Sequence, residues 1–425
     1  MATAHDARAD AHNADAAEKS VPSYPGATSG AGAPRRCYLD YAAATPMAPE
    51  AVSAMLPYLS EQFANPSAPY AEARLARAAL EDARARLARV IGARPDNVVL
   101  TAGATEANNL AFAAAEGAVV TIATEHESTL ACARARDARV VGVAADGRVS
   151  AEAMADAIDG DVGLVSVSLA NGEIGCVQPV REIARVVAAE RARRLEAGER
   201  RPIYLHTDAS QAAGHVSVNV SSLGCDLMTL SAAKVYGPKQ VGLLWAADGV
   251  ELRPLVVGGG QERGVRSGTE NVAGAVAFAL ALELAEAARG SESRRLAALR
   301  DDLERRLLRE FPWARVTGPR ARKLRLPGLL HVSFPGLEAR RLVIGLERLG
   351  VSVGTGSACA ASQMRVSHVL AALGVPEDVA QGSLRITLGR PTSEADVDYA
   401  ALCICRVVRE EMARLGLHSS SMGEK

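Results

Sequence analysis

Three segments of the sequence place side chains suited to chemistry at the ends of predicted strands. Lys234 lies in "LSAAKVYGPKQVG", directly after the apolar run "CDLMTL". Asp208 follows "IYLH", and "TAGATEANN" places Gly103 before a predicted helix. A helix N-terminus of this kind exposes N–H groups that bind phosphate. A phosphate cradle, a strand-end carboxylate and a lysine are the groups that hold pyridoxal phosphate, through a Schiff base to the amine and an ion pair to the pyridine nitrogen.

Each candidate group also has an ordinary structural interpretation. "TAGATEANN" can be a plain helix start, and an aspartate after a strand often caps the next helix. His126 in "TEHEST" can be a structural histidine, and Arg385 in "SLRITLG" can be an ion-pair partner. Cys359 in "GTGSACA" can be a small buried residue, because free cysteine is often buried. It is their combination that favours a cofactor site.

The elements that must position these groups alternate between short β-branched runs and helical patterns. The runs are "NVVLTAG", "AVVTIATEH", "VGLVSVSLANGEIG", "RPIYLHTDASQ", "CDLMTLSAAK" and "VGLLWAA". Such alternation predicts an α/β fold with a mostly parallel sheet. Two amphipathic helices, "YAEARLARAALEDARARLARVIG" and "RRLAALRDDLERRLLREF", frame it. Because open sheets bind ligands at the carboxyl ends of their strands, we expect the polar segments after these strands to meet in one crevice.

The chain is predicted to form two folded domains with unstructured ends. Residues 48–290 make the large cofactor-binding domain. Residues 37–47 and 291–417 make a smaller α+β domain, with "LLHVSF" and "GSLRITLG" as strands. Residues 1–36 contain few large apolar side chains and are predicted to be a disordered extension, and residues 418–425 a flexible tail.

Composition excludes several classes of function. The 425 residues are 48% hydrophobic with a formal net charge of −1, which gives no electrostatic footprint for nucleic acid or an anionic membrane. No apolar run reaches the roughly 20 residues that span a bilayer. The seven cysteines are scattered, which argues against a disulfide framework and for a reducing cytoplasm. Cys403 and Cys405 have no metal-site spacing, and we expect no metal.

An ordered series of motifs from about residue 37 to 410 resembles the cysteine desulfurases. These belong to the class V aminotransferase group of fold-type-I pyridoxal-phosphate enzymes. The motifs are "YLDYAAATP", "QFANPS", "TAGATEANN", "TEHESTL", "NGEIG", "HTDASQAAG", "SAAKVYGPKQVG", "GGGQERGVRSGTEN", "GTGSACA", "SHVL" and "SLRITLGR". The segment between "GSAC" and "SHVL" is similar to that of the iron–sulfur-cluster-type group, whose catalytic cysteine lies on a long loop.

The resemblance implies roles for residues around the cofactor ring. Lys234 is expected to be the Schiff-base lysine, and Asp208 to keep the pyridine nitrogen protonated. His126 is expected to stack on the ring and assist proton transfers. Gln211 is expected to donate a hydrogen bond to the phenolic oxygen.

The resemblance also implies residues for the phosphate, the substrate and the sulfur. The residues expected at the phosphate are Ala104, Thr105 and Ser231. Thr269 is expected to reach the phosphate of a partner subunit, which implies a homodimer. Arg385 is expected to bind the substrate carboxylate, and Cys359 to be the nucleophile that accepts sulfur from L-cysteine as a persulfide.

Two positions depart from the family pattern. The family usually has histidine before the Schiff-base lysine, where this chain has Ala233. It usually has Asn-Asn-Glu where this chain has Asn171, Gly172 and Glu173, so the second asparagine, which contacts the phenolic oxygen, is missing. Each loss removes a hydrogen bond worth about 1–3 kcal/mol. We expect weaker cofactor retention or a shifted Schiff-base pKa, with Asn171 or water substituting at that oxygen.

Three functions therefore compete at this point. The first is a cysteine desulfurase that produces L-alanine and a Cys359 persulfide for a sulfur-acceptor protein, whose identity one chain does not reveal. The second is a selenocysteine lyase, another C–S lyase or an aminotransferase on the same fold. The third, motivated by Ala233 and Gly172, is a cofactor-poor scaffold that docks sulfur acceptors.

Overall fold

The structure is a computed structural model that describes residues 35–355 and 367–417. The predicted nucleophile Cys359, the predicted tail and all but the last two residues of the predicted N-terminal extension lie outside this part of the chain. Within it, no helix combines the length and apolar character needed to cross a membrane.

The helices and strands follow one another with the alternation predicted from the sequence. The strands are β1 (Cys37–Tyr38), β2 (Val98–Thr101), β3 (Ala118–Ile122), β4 (Ala138–Val141), β5 (Val162–Ser166), β6 (Tyr204–Asp208), β7 (Leu227–Ser231), β8 (Gly242–Ala246), β9 (Arg315–Val316), β10 (Leu329–Ser333), β11 (Val351–Ser352) and β12 (Ser383–Thr387). The α-helices are α1 (Pro49–Met55), α2 (Pro57–Ser60), α3 (Ala71–Ile91), α4 (Ala104–Ala113), α5 (Glu127–Arg134), α6 (Ala151–Ala157), α7 (Val180–Glu196), α8 (Val220–Leu223), α9 (Val272–Glu310), α10 (Ala339–Arg348), α11 (His368–Ala372), α12 (Glu377–Ala380) and α13 (Glu394–Arg414).

The main sheet of the described residues has seven strands in the order β2-β8-β7-β6-β5-β3-β4. All neighbours pair in parallel except β8, which is antiparallel to both β2 and β7. Reversal of β8 leaves β2 running in the same direction as the other strands, so their carboxyl ends share one edge. The predicted α/β fold with a mostly parallel sheet is confirmed, and this edge is where the candidate site forms.

A smaller antiparallel sheet, in the order β12-β10-β9, has its own hydrophobic core. Strand β1 pairs in parallel with β11, and Cys37 and Leu39 at the start of the described chain pack into this second core. The predicted division into residues 48–290 and the remainder places its boundary inside α9, which runs unbroken for 39 residues. The first part of α9, including Phe278, packs in the core of the main sheet, and the later part, including Leu303, packs in the second core.

Candidate active site

One cavity of about 590 Å³ lies at the carboxyl edge of the main sheet, where the polar segments meet. Most of the predicted site residues line it: Ala104, Thr105, His126, Asn171, Asp208, Gln211, Ser231, Lys234 and Arg385. The two positions that depart from the family pattern, Gly172 and Ala233, line it as well. The predicted crevice is therefore present, and its walls come from segments far apart in the sequence.

Lys234 follows β7 and points its amine at the N-terminal segment. Its Nζ donates to the backbone oxygens of Ala42 at 2.7 Å and Ala43 at 2.6 Å. Burial, followed by the positive charge of Arg385, lowers the Lys234 pKa to about 8. A lysine with this pKa holds a usable fraction of neutral, nucleophilic amine near physiological pH.

Asp208 ends β6, and both oxygens of its carboxylate accept hydrogen bonds. Oδ1 accepts from the backbone N–H of Ser210 at 2.9 Å, and Oδ2 accepts from Nδ2 of Asn108 at 2.9 Å. Asn108 lies on α4 and is fully buried. Two donors fix the plane of the carboxylate, so its orientation toward the cavity is set before any ligand arrives.

The same asparagine connects Asp208 to His126. Nδ2 of Asn108 also donates to Oγ of Ser128 at 3.0 Å, and that hydroxyl lies 2.8 Å from Nδ1 of His126. The backbone N–H of Ser128 also donates to this Nδ1, which places the proton of the neutral ring on Nε2. Burial lowers the pKa of His126, although its ring borders the open cavity. His126 is therefore a neutral ring in a fixed orientation.

The start of α4 provides free N–H groups. Within the described residues, the amides of Ala104 and Thr105 donate to no protein acceptor. Gly103 precedes them with φ of +126°, in the region that favours glycine. A side chain at Gly242 on β8 would come within 2.7 Å of the Gly103 backbone, so glycine there permits close packing of this turn. Ser231 lines the same part of the cavity.

Gln211 occupies the space that the missing asparagine leaves. A Cβ atom at Gly172 would lie 2.7 Å from Cδ of Gln211, closer than real contacts allow. Nε2 of Gln211 donates to the backbone oxygen of Ala42 at 3.0 Å. The position of Gln211 thus depends on the absence of a side chain at residue 172.

The side chain of Asn171 forms its hydrogen bonds with the backbone of its own loop and of Thr124. Its Nδ2 donates to the backbone oxygen of Thr124 at 2.8 Å. Its Oδ1 accepts from the N–H groups of Glu173 at 2.8 Å and Ile174 at 2.9 Å. The Asn171 side chain therefore stabilises the turn after β5. Gln211, which also lies beside Gly172, makes fewer hydrogen bonds to the protein than Asn171 does.

Arg385 on β12 forms the side of the cavity that belongs to the smaller sheet. It is 4% exposed, and its Nη2 donates to Oδ1 of Asp40 at 2.8 Å. Its Nη1 lies 3.3 Å from the backbone oxygen of Gly172. From the sequence, Arg385 was either an ion-pair partner or a substrate-binding residue. The structure shows an ion pair with Asp40 and also places Arg385 in the cavity wall.

Thr269 lies apart from the other predicted residues. It lines a separate cavity of about 210 Å³ together with Arg266 and Gly268, and Ala102 lines both cavities. Its side chain is exposed in the single chain. The sequence predicted contact with a partner subunit, which the single chain does not test.

The prediction missed Glu125 and His368, two titratable residues in the cavity wall. Glu125 is almost completely buried, and burial raises its pKa to about 7, against hydrogen bonds from Ser168 that lower it. His368 lies two residues after the undescribed segment, and its Nε2 is 2.9 Å from the backbone oxygen of Glu125. Both residues lie in motifs that carry the family resemblance, "TEHESTL" and "SHVL", and these motifs could have identified them.

The donor set fits pyridoxal phosphate. The free amides of Ala104 and Thr105 suit the phosphate, the oriented carboxylate of Asp208 suits a pyridinium nitrogen, and Lys234 suits an aldehyde. Within the described residues, no three histidine, cysteine, aspartate or glutamate side chains cluster as metal ligands do.

Comparison with known proteins agrees with this donor set. The aminotransferase class-V family matches residues 37–400. A protein named cysteine desulfurase IscS from Dictyoglomus turgidum is 37% identical over 388 residues, which cover 88% of this chain and 95% of that protein. The chain is a cysteine desulfurase family member. Its cofactor is pyridoxal phosphate.

Solved structures show the same fold. One titled NifS-like protein superposes on the desulfurase with a TM-score of 0.80 and 31% identity, over 88% of this chain and 100% of that one. One titled SspA in complex with cysteine superposes with a TM-score of 0.69 and 31% identity, over 83% and 98%. The predicted fold-type-I architecture of the desulfurase is confirmed.

Restoring the family's asparagine at position 172 should destabilise this desulfurase. In Gly172→Asn the new side chain must displace Gln211, and overpacking of this kind costs about 1–3 kcal/mol. We expect a lower midpoint in urea unfolding, and recovery of most of the loss in the double variant Gly172→Asn/Gln211→Ala. Additive losses in the double variant would show that the two side chains do not compete for one space.

Proposed function

We propose that this desulfurase converts L-cysteine to L-alanine and retains the sulfur as a persulfide on Cys359. The observation that carries the proposal is the shared cavity, in which the low-pKa amine of Lys234, the oriented carboxylate of Asp208 and the guanidinium of Arg385 meet. An amine, an acid and a carboxylate-binding cation are the groups that amino-acid chemistry on pyridoxal phosphate requires.

The residues for cofactor binding follow from the free and oriented groups. Lys234 holds the aldehyde carbon, Asp208 the pyridine nitrogen, and Gln211 the phenolic oxygen. The phosphate is assigned to the amides of Ala104 and Thr105 and to the hydroxyl of Ser231. When bound, the cofactor withdraws electrons from the substrate Cα and so weakens its bond to hydrogen.

Proton movement is assigned to Lys234 and His126. Once released by the incoming substrate amine, Nζ of Lys234 takes the Cα proton, and its lowered pKa makes the neutral amine available. His126 is neutral with its proton on Nε2, because Nδ1 accepts from Ser128. A neutral ring can stack on an aromatic cofactor and can pass a proton to or from the substrate thiol.

Arg385 is assigned to the substrate carboxylate. Its guanidinium is buried in the cavity wall, where a charged hydrogen bond is stronger than in water. The ion pair with Asp40 uses Nη2, and Nη1 makes one longer bond of 3.3 Å, so N–H groups of the guanidinium remain for a ligand.

Cys359 is assigned to sulfur transfer by its motif and by the raised pKa of five of the six other cysteines. Burial raises the pKa of Cys37, Cys176 and Cys225 to about 12. Burial also raises the pKa of Cys132 and Cys405. Because the thiolate is the nucleophile, these cysteines are poor candidates at neutral pH.

A homodimer in the cytoplasm, serving a separate sulfur-acceptor protein, completes the proposal. Support for the dimer comes from large apolar side chains exposed on the single chain, including Phe63 at 76% and Val257 at 78%. Exposed apolar surface of this kind commonly marks protein contacts. Thr269, exposed in its own cavity, is then available to the partner's phosphate.

The proposal is tested by incubating the purified protein with L-cysteine and a reductant. We expect alanine and sulfide in equal amounts, and without reductant a persulfide that mass spectrometry maps to Cys359. Sulfide release without any persulfide would instead favour a C–S lyase or selenocysteine lyase. Absence of a cofactor absorbance band in protein supplied with pyridoxal phosphate would favour the docking scaffold.

Replacing the carboxylate of Asp208 should slow the reaction while the protein stays folded. Asp208→Asn keeps the shape and an oxygen that can accept a hydrogen bond, but it loses the charge that keeps the pyridine nitrogen protonated. We expect kcat to fall about 100- to 10,000-fold, the range for groups that act on a transition state. The matched control is Asp226→Asn. Asp226 pairs with Arg191 away from the cavity, so this change should leave kcat unchanged. A similar kcat in both variants would contradict the role.

A further inference from the structure

Gly354 lies against the ion pair between Asp40 and Arg385. A Cβ atom at this position would be 2.9 Å from Oδ1 of Asp40, and 3.0 Å and 3.1 Å from Nη2 and Nε of Arg385. The backbone of Gly354 does not have the positive φ that requires glycine. The glycine is therefore needed for the space that it leaves to the pair.

The backbone fixes this contact. The N–H of Gly354 donates to the Arg385 oxygen at 3.0 Å, and the N–H of Arg385 donates to the Gly354 oxygen at 2.7 Å. On the other side, Asp40 forms a bridge with Thr387, two residues after the arginine on β12. Three separate segments thus meet at one guanidinium, and backbone pairing joins them.

The protein uses the three guanidinium nitrogens of Arg385 unequally. Nη2 bonds Asp40 at 2.8 Å, and Nη1 makes a longer bond of 3.3 Å to the oxygen of Gly172. Nε has no partner among the described residues. Because a guanidinium is rigid and planar, fixing Nη2 also fixes the directions of the other N–H groups.

We propose that Asp40 and Gly354 are positioning residues for recognition of the substrate carboxylate. Asp40 holds Nη2 of Arg385, Gly354 leaves room for that pair, and the N–H groups not held by Asp40 face an α-carboxylate in a set orientation. This inference rests on the proposed role of Arg385, and it assigns the residues that make an otherwise ordinary arginine selective for amino acids.

The test compares ligands with and without a carboxylate. Binding of L-alanine, the product, and of cysteamine, which lacks the carboxylate, is followed by the absorbance of the bound cofactor and by calorimetry. In Gly354→Ala we expect the L-alanine Kd to rise about tenfold or more, with the cysteamine Kd unchanged. The KM for L-cysteine should rise with little change in kcat. The control is Gly142→Ala, because a Cβ there meets nothing within 4 Å.

A second variant keeps the test independent of any folding defect at 354. Asp40→Asn weakens the hold on Nη2 without adding bulk, and we expect the affinity for L-alanine relative to cysteamine to fall. L-alanine binding that is unchanged or tighter in Asp40→Asn would overturn the proposal, since Asp40 would then compete with the substrate. Equal weakening of both ligands in Gly354→Ala would also overturn it. If the unmodified protein binds neither ligand, the proposed function fails instead.

Discussion

Lys234→Ala should leave the protein folded but without covalently bound cofactor. Borohydride reduction followed by peptide mapping should find pyridoxyl lysine at 234 in the unmodified protein and none in the variant. Alanine production should fall about 100- to 10,000-fold, because the variant has no base at the Cα proton. The buried amine with a pKa near 8 is the physical reason for both expectations.

The chain offers a matched control in Lys239, which lines the same cavity. Lys239 is an exposed residue, and its amine lies 3.4 Å from the backbone oxygen of Thr45. Lys239→Ala should keep the adduct at 234 and most of the activity. An adduct that persists in Lys234→Ala, or that disappears in Lys239→Ala, would show that Lys234 is not the lysine that binds the cofactor.

Cys359→Ser should separate cofactor chemistry from sulfur transfer. Serine keeps the size of the side chain but not its nucleophilicity toward sulfur, so no persulfide should form and alanine release should fall to background. The change in cofactor absorbance on adding L-cysteine should persist, because Lys234, Asp208 and Arg385 are untouched. Sulfide release at the original rate would contradict the assignment and favour the lyase.

Cys132 provides the control for this experiment. It is partly exposed on α5, beyond the cavity-lining start of that helix, and burial raises its pKa. Cys132→Ser should retain both alanine production and the persulfide. Loss of the persulfide in this variant would show that sulfur passes through a cysteine other than Cys359.

The sheet and most of the cavity could be predicted from the sequence because both depend on local patterns. Each parallel strand is a short β-branched run, and its polar residues follow directly after it, so Asp208 and Lys234 had to reach the same edge. What local pattern cannot supply is contact between distant segments. The bonds from Lys234 to the Ala42 and Ala43 oxygens join residues about 190 positions apart.

The departure at Gly172 shows the same limit. From sequence alone, Gly172 is the loss of an amide, and Asn171 is its nearest replacement. The structure shows that Asn171 is used by its own turn and that Gln211 lies where the side chain would have been. Shape complementarity between two loops decided this, and it leaves no trace in hydrophobic periodicity. Asn108 was missed for a similar reason, since its contacts to Asp208 and Ser128 cross three segments.

The boundary predicted at residue 290 rests on the change to a smaller α+β pattern after about that position. The helix nevertheless continues through it, because α9 packs in the core of the main sheet before this position and in the second core after it.

That uninterrupted helix has a mechanical consequence. At about 1.5 Å per residue, α9 is a rod roughly 58 Å long, with its first part packed in the core of the main sheet and its later part in the core that includes β12. A helix shared by both cores resists hinge bending between them, so we expect the distance between Lys234 and Arg385 to stay nearly constant.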